Sequence, residues 1–141
     1  MENKNDLCER LLQFAVDVII YLRTVKNTIE TIDSKRQLLR ASSSSGANYE
    51  ESQGAPTKPD VRTKVGISLK EMRESNYFLR IFDRLELGDK KKCKYIVGES
   101  LELKKILASI LNKLLIIFIF LGLGALNLGL GLLFKGFLLC T

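Results

Sequence analysis

The sequence predicts an all-α protein, an up-and-down four-helix bundle that is followed by a hydrophobic C-terminal tail. Two long stretches carry apolar residues at alternating steps of three and four, which is the spacing of one helix face. No segment alternates apolar and polar residues for long enough to form a strand. A chain of 141 residues has room for one domain, which we assign to residues 1–113, with residues 114–141 as the tail.

The first helix is predicted from a stripe of apolar residues close to the N-terminus. Its members recur at alternating steps of four and three: Leu7, Leu11, Phe14, Val18, Tyr21 and Val25. Most of the charged side chains in this stretch fall elsewhere on the helical wheel. A near-heptad seam of this kind is typical of helices that pack into a bundle.

The serine-rich segment after this helix leaves two interpretations open. Residues 41–47 read Ala-Ser-Ser-Ser-Ser-Gly-Ala, a composition that is typical of a flexible linker. The same segment nevertheless keeps the four-three rhythm of a helix, at Leu38, Ser42, Ser45, Tyr49 and Ser52. In a helix, small residues at these positions would let a neighbouring backbone approach closely.

The third helix is predicted to begin at Thr57. The Thr57 side chain can cap the helix, and the Asp60 side chain, three residues on, can complete the cap with a reciprocal hydrogen bond. Pro59 suits the first turn, where its missing N–H group costs nothing. A long apolar seam follows, and Gly88 is predicted to end the helix in a left-handed conformation. Asp89 then begins the last helix of the domain.

The composition argues against several kinds of chemistry. The sequence contains no histidine, which excludes an imidazole base and a His-containing zinc site. Three cysteines lie far apart in sequence, at Cys8, Cys93 and Cys140, as in a reduced cytoplasmic protein without a disulfide framework. The polar N-terminus does not resemble a signal peptide. We therefore expect a cytoplasmic protein that is not an enzyme and needs no cofactor.

Four glutamates could be imagined as a metal cluster between helices: Glu50, Glu51, Glu71 and Glu74. Di-metal helical bundles use Glu-x-x-His motifs, which this chain cannot form. Lys64, Lys70 and Arg73 lie near these carboxylates, so we expect ion pairs and no metal site.

Basic residues are the strongest functional signal in the domain. The net charge of +6 comes almost entirely from residues 1–113, because Lys135 is the only charged residue after Lys113. Lysines that crowd the start of a helix oppose its dipole, which slightly favours a binding role. The alternative is a solvated face that keeps the protein soluble. The candidate nucleic-acid-binding residues are Arg36, Arg40, Lys58, Arg62, Lys90, Lys91, Lys92 and Lys94.

The tail contains a segment of 21 residues without a charge, from Leu114 to Phe134. A membrane-spanning helix needs about 20 predominantly apolar residues, so the segment has the length of a membrane anchor. Alternatively, the segment could cover a groove or an oligomer contact, or it could be a frameshifted end without a selected function.

Two motifs identify a family resemblance. The first is the run from Arg36 to Ala55, which contains Gly46-Ala47-Asn48-Tyr49-Glu50-Glu51. The second lies on the third helix and comprises Lys64, Ile67, Leu69, Lys70, Glu71, Glu74, Tyr77 and Leu79. Together they resemble the bacterial four-helix bundle family whose genes were first noted inside intervening sequences of 23S ribosomal RNA genes. The resemblance covers about residues 5–113, and the hydrophobic tail departs from it.

The resemblance implies that the serine-rich segment is the second helix and that the protein is a homo-oligomer, typically a pentamer. It also gives Gly46, Ala47, Asn48 and Glu51 a packing role, with Asn48 able to hydrogen-bond across a helix seam. A relative of this fold is the accessory protein of diversity-generating retroelements, which binds reverse transcriptase and nucleic acid. We therefore expect a homo-oligomeric adaptor for RNA, DNA or a reverse transcriptase. The alternative is an oligomeric scaffold tethered to a membrane through residues 114–134.

Overall fold

A computed structural model describes the backbone of residues 4–137 and the side chains of residues 7–117 and 119. It contains four helices, α1 (Lys4–Leu22), α2 (Ile32–Gln53), α3 (Lys58–Arg84) and α4 (Lys90–Phe137), and the described residues form no strand. Consecutive helices pack against one another, and α1 also contacts α4. The all-α, up-and-down bundle that the sequence predicts is therefore confirmed.

The core of the bundle is built from the apolar stripes. The predicted stripe of α1 is buried from Leu11 to Tyr21, and Val25 is buried just beyond the helix. The other helices contribute further side chains that are almost completely buried: Leu38, Val65, Met72, Leu79, Phe82, Ile96, Leu103 and Leu107. Burial of this apolar surface is the main force that holds the four helices together.

The serine-rich segment is part of α2, so the linker interpretation is wrong. Ser42, Ser45 and Ser52 are buried, and Ser45 lies against the buried Ser68 of α3. A Cβ atom added to Gly46 would lie 3.6 Å from the backbone oxygen of Leu11, so α1 also approaches α2 closely. Small residues are needed on α2 because two neighbouring helices pack tightly against it.

The predicted start of α3 is confirmed, whereas the predicted end is wrong. The Thr57 hydroxyl accepts a hydrogen bond from the Asp60 backbone N–H, as the cap requires. The helix ends at Arg84, four residues before Gly88. Gly88 has a φ of +63° as expected, but it lies in the turn, where a Cβ atom would meet the Thr24 hydroxyl oxygen at 2.5 Å. Gly88 is therefore required for close packing of two loops.

The two ends of the bundle differ in their loops. The double-loop end carries residues 23–31 and 85–89, and the single-loop end carries residues 54–57. Two hydrogen bonds attach the loop of residues 85–89 to the end of α1 and to the loop that follows it. The Tyr21 hydroxyl donates to the Leu87 carbonyl at 2.8 Å, and the Asp89 N–H donates to the Thr24 hydroxyl at 3.0 Å.

Helix α4 has 48 residues and is much longer than α1, which has 19. At a rise of 1.5 Å per residue these lengths correspond to about 72 Å and about 28 Å, so α4 extends far beyond its partner. Among the described residues, no helix combines the length and apolarity that crossing a membrane requires. Most of the predicted anchor, residues 120–134, lies outside the described side chains.

Candidate nucleic-acid and self-association surfaces

The predicted nucleic-acid-binding residues do not form one patch. Arg36 and Arg40 lie in the first turns of α2, and residues 90–94 form the first turn of α4, so both groups are near the double-loop end. Helices α2 and α4 do not contact each other within the described part of the chain, so these groups lie on opposite sides of the bundle. Lys58 and Arg62 lie at the single-loop end.

Two of these cations are paired with carboxylates. Arg36 lies 3.3 Å from Asp33, and Lys90 lies 2.6 Å from Glu86. The hydrogen bond and the positive charge of Lys90 lower the pKa of the Glu86 carboxyl. The other candidates are exposed and have no ion pair with a described side chain: Arg40, Lys58, Arg62, Lys91, Lys92 and Lys94.

A second group of exposed residues, four basic and one aromatic, lies along α3. It was not among the predicted nucleic-acid-binding residues. We call Lys70, Arg73, Tyr77, Arg80 and Arg84 the α3 stripe. The five positions follow one another at steps of three, four, three and four, and all five side chains are exposed. This spacing was visible in the sequence, because residues three and four apart share one face of a helix.

The α3 stripe lies on the flank of α3 that faces α4. Arg73 precedes Asn76 by three residues and Arg80 follows it by four, so all three are neighbours on the helix surface. The Asn76 amide donates a hydrogen bond to the Ser100 hydroxyl of α4 at 2.8 Å. The stripe therefore runs beside the seam between α3 and α4.

An apolar groove lies between α1 and α2. It has a volume of about 660 Å³ and is called the α1–α2 groove below. Its walls include the exposed side chains of Leu12, Val16 and Ile19, and Leu12 alone is 57% exposed. The remaining lining residues are Cys8, Glu9, Leu11, Ala15, Ser43, Gly46, Ala47 and Glu50. Three large apolar side chains in a row on one helix are an unusual feature for a surface that faces only water.

The residues of the first motif have separate roles. Gly46 and Ala47 line the α1–α2 groove. The Asn48 amide donates to the Ser44 carbonyl at 2.9 Å, which lies within α2, so the expected hydrogen bond across a seam is not formed. Glu51 forms an ion pair with Lys64, and this pair joins α2 to α3.

The remaining glutamates do not all form the expected ion pairs. Glu71 and Glu74 have no cation within ion-pair distance among the described side chains. The same part of the chain contains no group of three potential metal ligands.

The structure describes two cysteines, Cys8 and Cys93, and burial makes both thiols harder to ionise. Cys8 is half-buried in the α1–α2 groove, where burial, the Glu50 hydrogen bond and the Glu50 charge raise its pKa to about 11. Cys93 is fully buried and lies 3.8 Å from the Leu79 carbonyl, and burial raises its pKa as well. Both side chains therefore remain protonated at neutral pH and act as small apolar residues.

The groove and the stripe lie on opposite sides of the bundle. The helices contact one another in the cyclic order α1, α2, α3, α4, so the α1–α2 side faces away from the α3–α4 side. The α1–α2 groove thus presents apolar side chains on one side of the bundle, and the α3 stripe presents cations on the other. Arg36 and Arg40 precede the groove residues Ser43 and Ala47 at steps of four and three along α2, so these two cations lie on the groove side.

Comparison with known proteins agrees with this architecture. Residues 3–109 match the family model described as 23S rRNA-intervening sequence protein. The chain belongs to this family. Because the match includes both motifs, the resemblance inferred from the sequence is confirmed.

A member of the S23 ribosomal protein family from Bacteroides thetaiotaomicron has a similar crystal structure, and its function is described as unknown. It is 30% identical to this chain, with a TM-score of 0.67, and the match covers 74% of this chain and 97% of that one. A comparison with curated proteins gave no match. Membership of the 23S rRNA-intervening sequence family thus establishes the fold and leaves the activity to be inferred from the surfaces.

Proposed function

We propose that this protein is a non-enzymatic, homo-oligomeric adaptor that binds nucleic acid, or an enzyme acting on nucleic acid, through its basic helix faces. The observation that carries the proposal is the placement of an apolar groove and a cationic surface on opposite sides of one bundle. Such a molecule can associate with copies of itself on one side while it presents positive charge on the other.

Self-association is supported by the exposed apolar side chains of the α1–α2 groove. Leu12, Val16 and Ile19 would each lose contact with water if a second copy covered them, and burial of such side chains drives most protein association. Phe78 of α3 packs against the core and does not form a second exposed apolar face. The support for oligomerisation therefore comes from α1, and the resemblance suggests a ring of five.

Binding of a polyanion is supported by the exposed cations of the α3 stripe and of the first turn of α4, none of which lines the α1–α2 groove. A net charge of +6 per chain is modest, but assembly multiplies it by the number of copies. Lysines and arginines that neutralise phosphates release counterions, so even a few contacts per copy sum to strong binding in an oligomer.

The alternative of a membrane-tethered scaffold depends on residues 114–134. Most of this segment lies outside the described side chains, and no membrane-spanning helix is found among the described residues.

The test is binding of the full-length protein to labelled RNA and DNA of arbitrary sequence over a range of salt concentrations. We expect binding at low salt that weakens steeply as salt is added. The double variant Lys91→Gln, Lys92→Gln should flatten this dependence, because it removes two exposed and unpaired charges.

The matched control is Arg23→Gln, Lys26→Gln, which removes two exposed charges from the loop between α1 and α2, and neither residue is among the candidate binding residues. We expect its salt dependence to stay close to that of the wild type. Absence of binding to RNA and DNA at low salt would refute the nucleic-acid part of the proposal.

A further inference from the structure

We propose that the α3 stripe is a binding track for single-stranded nucleic acid, with Tyr77 as the platform on which a base stacks. This inference rests on the proposed function and specifies it, because it names one surface and one class of ligand. The four cations of the stripe would contact successive phosphates, and the ring between them would contact an unpaired base.

The stripe has the shape of a track. Its five side chains lie on one face of a single helix, and the distance from Lys70 to Arg84 along the axis is about 21 Å at 1.5 Å per residue. Two cations precede Tyr77 and two follow it, so the aromatic ring is at the centre. Alternation of cations with an aromatic ring on an exposed surface is the arrangement by which single strands are bound without sequence preference.

The cations of the stripe are available to a ligand. Lys70, Arg73, Arg80 and Arg84 form no ion pair with any described side chain, in contrast to Arg36 and Lys90. The nearest carboxylates along the helix surface are Glu74, four residues from Lys70, and Asp83, three residues from Arg80. Both are half-buried, and neither forms an ion pair with a described side chain. Phosphates would therefore not have to displace an existing partner.

Tyr77 has no evident structural role that would explain its position. Its side chain is 60% exposed, and its hydroxyl has no hydrogen-bond partner among the described residues. The ring meets that of Phe78 nearly at a right angle, with 5.5 Å between the centroids. A contact of this geometry covers at most one face of the Tyr77 ring, so at least one face is left for a base.

The identity of the ligand follows from the ring. A duplex would use the four cations but would leave Tyr77 unused, because its bases are already stacked on one another. A single strand can use both parts of the stripe. Self-association through the α1–α2 groove would leave the stripe accessible, since the two lie on opposite sides of the bundle.

The inference is tested on the full-length protein by fluorescence anisotropy with a labelled single strand of about 12 nucleotides and with its duplex. This length exceeds the lower limit of roughly four nucleotides for known single-strand sites. Tyr77→Leu should weaken binding of the single strand about tenfold, equivalent to about 1.4 kcal/mol, and should leave duplex binding unchanged. Tyr77→Phe should bind like the wild type because the aromatic ring is retained.

Removal of two phosphate contacts gives an independent readout. Arg73→Gln, Arg80→Gln should reduce the slope of log K against log salt by about 1.4 for the single strand. The matched control is again Arg23→Gln, Lys26→Gln, which should retain the wild-type slope. Thermal unfolding followed by circular dichroism identifies any variant that fails to fold, and the comparison of Tyr77→Leu with Tyr77→Phe does not depend on the charge variants.

The possible failures can be told apart. If the wild type binds nucleic acid but Tyr77→Leu and Arg73→Gln, Arg80→Gln bind equally well, the α3 stripe is not the site and the proposed function stands. Equal loss of single-strand and duplex binding in Tyr77→Leu would also overturn the stacking role. If the wild type binds neither oligonucleotide at low salt, the proposed nucleic-acid function fails together with this inference. Binding to phosphatidylserine vesicles without binding to oligonucleotides would assign the cations to a lipid surface and overturn it.

Discussion

Ser45 of α2 and Ser68 of α3 hydrogen-bond reciprocally, each hydroxyl donating to the backbone carbonyl of the other residue. The two distances are 2.9 Å and 2.8 Å, and both serines are completely buried. A side chain this short can reach the opposite backbone only if the two helices are unusually close. The pair therefore explains how a segment with the composition of a linker becomes a central helix of the bundle.

Replacement of Ser45 by a large residue should separate α2 from α3. We expect Ser45→Leu to lower the free energy of unfolding by about 2–3 kcal/mol, because overpacking adds to the loss of a buried hydrogen bond. Gln37→Leu is the control, since Gln37 is an exposed residue of the same helix and does not line the α1–α2 groove. Urea unfolding measures the free energy of unfolding of both variants. Equal effects of the two substitutions would show that the close approach of α2 and α3 does not contribute to stability.

The ion pair between Arg10 and Glu99 should contribute to the contact between α1 and α4. The guanidinium donates two hydrogen bonds to the carboxylate, at 2.6 Å and 3.0 Å, and the Glu99 side chain is largely buried. A double-mutant cycle with Arg10→Gln and Glu99→Gln should give a coupling energy of about 1 kcal/mol.

The exposed pair of Lys105 and Glu102 provides the comparison for this cycle, because it lies on the surface of a single helix. Its coupling energy should be below about 0.5 kcal/mol. If the two cycles give the same value, the bidentate pair adds nothing beyond an ordinary surface contact.

The thiol of Cys8 should react slowly with iodoacetamide at pH 8, because its pKa of about 11 leaves almost no thiolate. Burial is the main cause, and the negative Glu50 adds to it, so Glu50→Gln should lower the pKa and accelerate alkylation without making the thiol fully reactive. Peptide mass spectrometry follows Cys8 separately from the other cysteines. Glu51→Gln is the control because Glu51 pairs with Lys64, and an equal acceleration in both variants would refute the role of Glu50.

A charge placed in the α1–α2 groove should prevent self-association. We expect Val16→Glu to shift the full-length protein towards the monomer, because a carboxylate would lose its hydration in the contact between copies. The control is Ile29→Glu, which introduces the same charge at a loop residue that is 92% exposed and lies outside the groove. Light scattering measures both masses, and a Val16→Glu protein with the wild-type mass would exclude the groove as the contact.

The sequence predicted those parts of the fold that depend on contacts between residues close together in the chain. The apolar seam of α1 and the cap at Thr57 involve residues within a few turns of one another, so their patterns could be read directly. The end of α3 could not be predicted in this way, because Gly88 is placed by contacts with Thr24, which is more than 60 residues away in the sequence. The choice between linker and helix for residues 41–47 likewise depended on Ser68 and Leu11, which belong to other helices.

The candidate sites show the same limit. Density of charge in the sequence predicts binding at residues 90–94 and at Arg36 and Arg40. Helices α2 and α4 do not contact each other in the part of the chain that the structure describes, so these cations face different directions. The α3 stripe is less dense in the sequence because its members are three or four residues apart, yet that spacing aligns them on one face. The groove could not be predicted, because it forms only where α1 meets α2.

The central claim is that one side of the bundle joins copies of the protein while the other side binds nucleic acid. Sedimentation velocity of the full-length protein with a labelled single strand tests this directly when it is repeated at low and high salt. We predict that at low salt the label sediments with a multimer of the 15.9 kDa chain. At high salt the label should be released while the multimer persists, because salt screens phosphate contacts but does not weaken apolar burial. A multimer that dissociates together with the label, or a label that never sediments with the protein, would contradict the account.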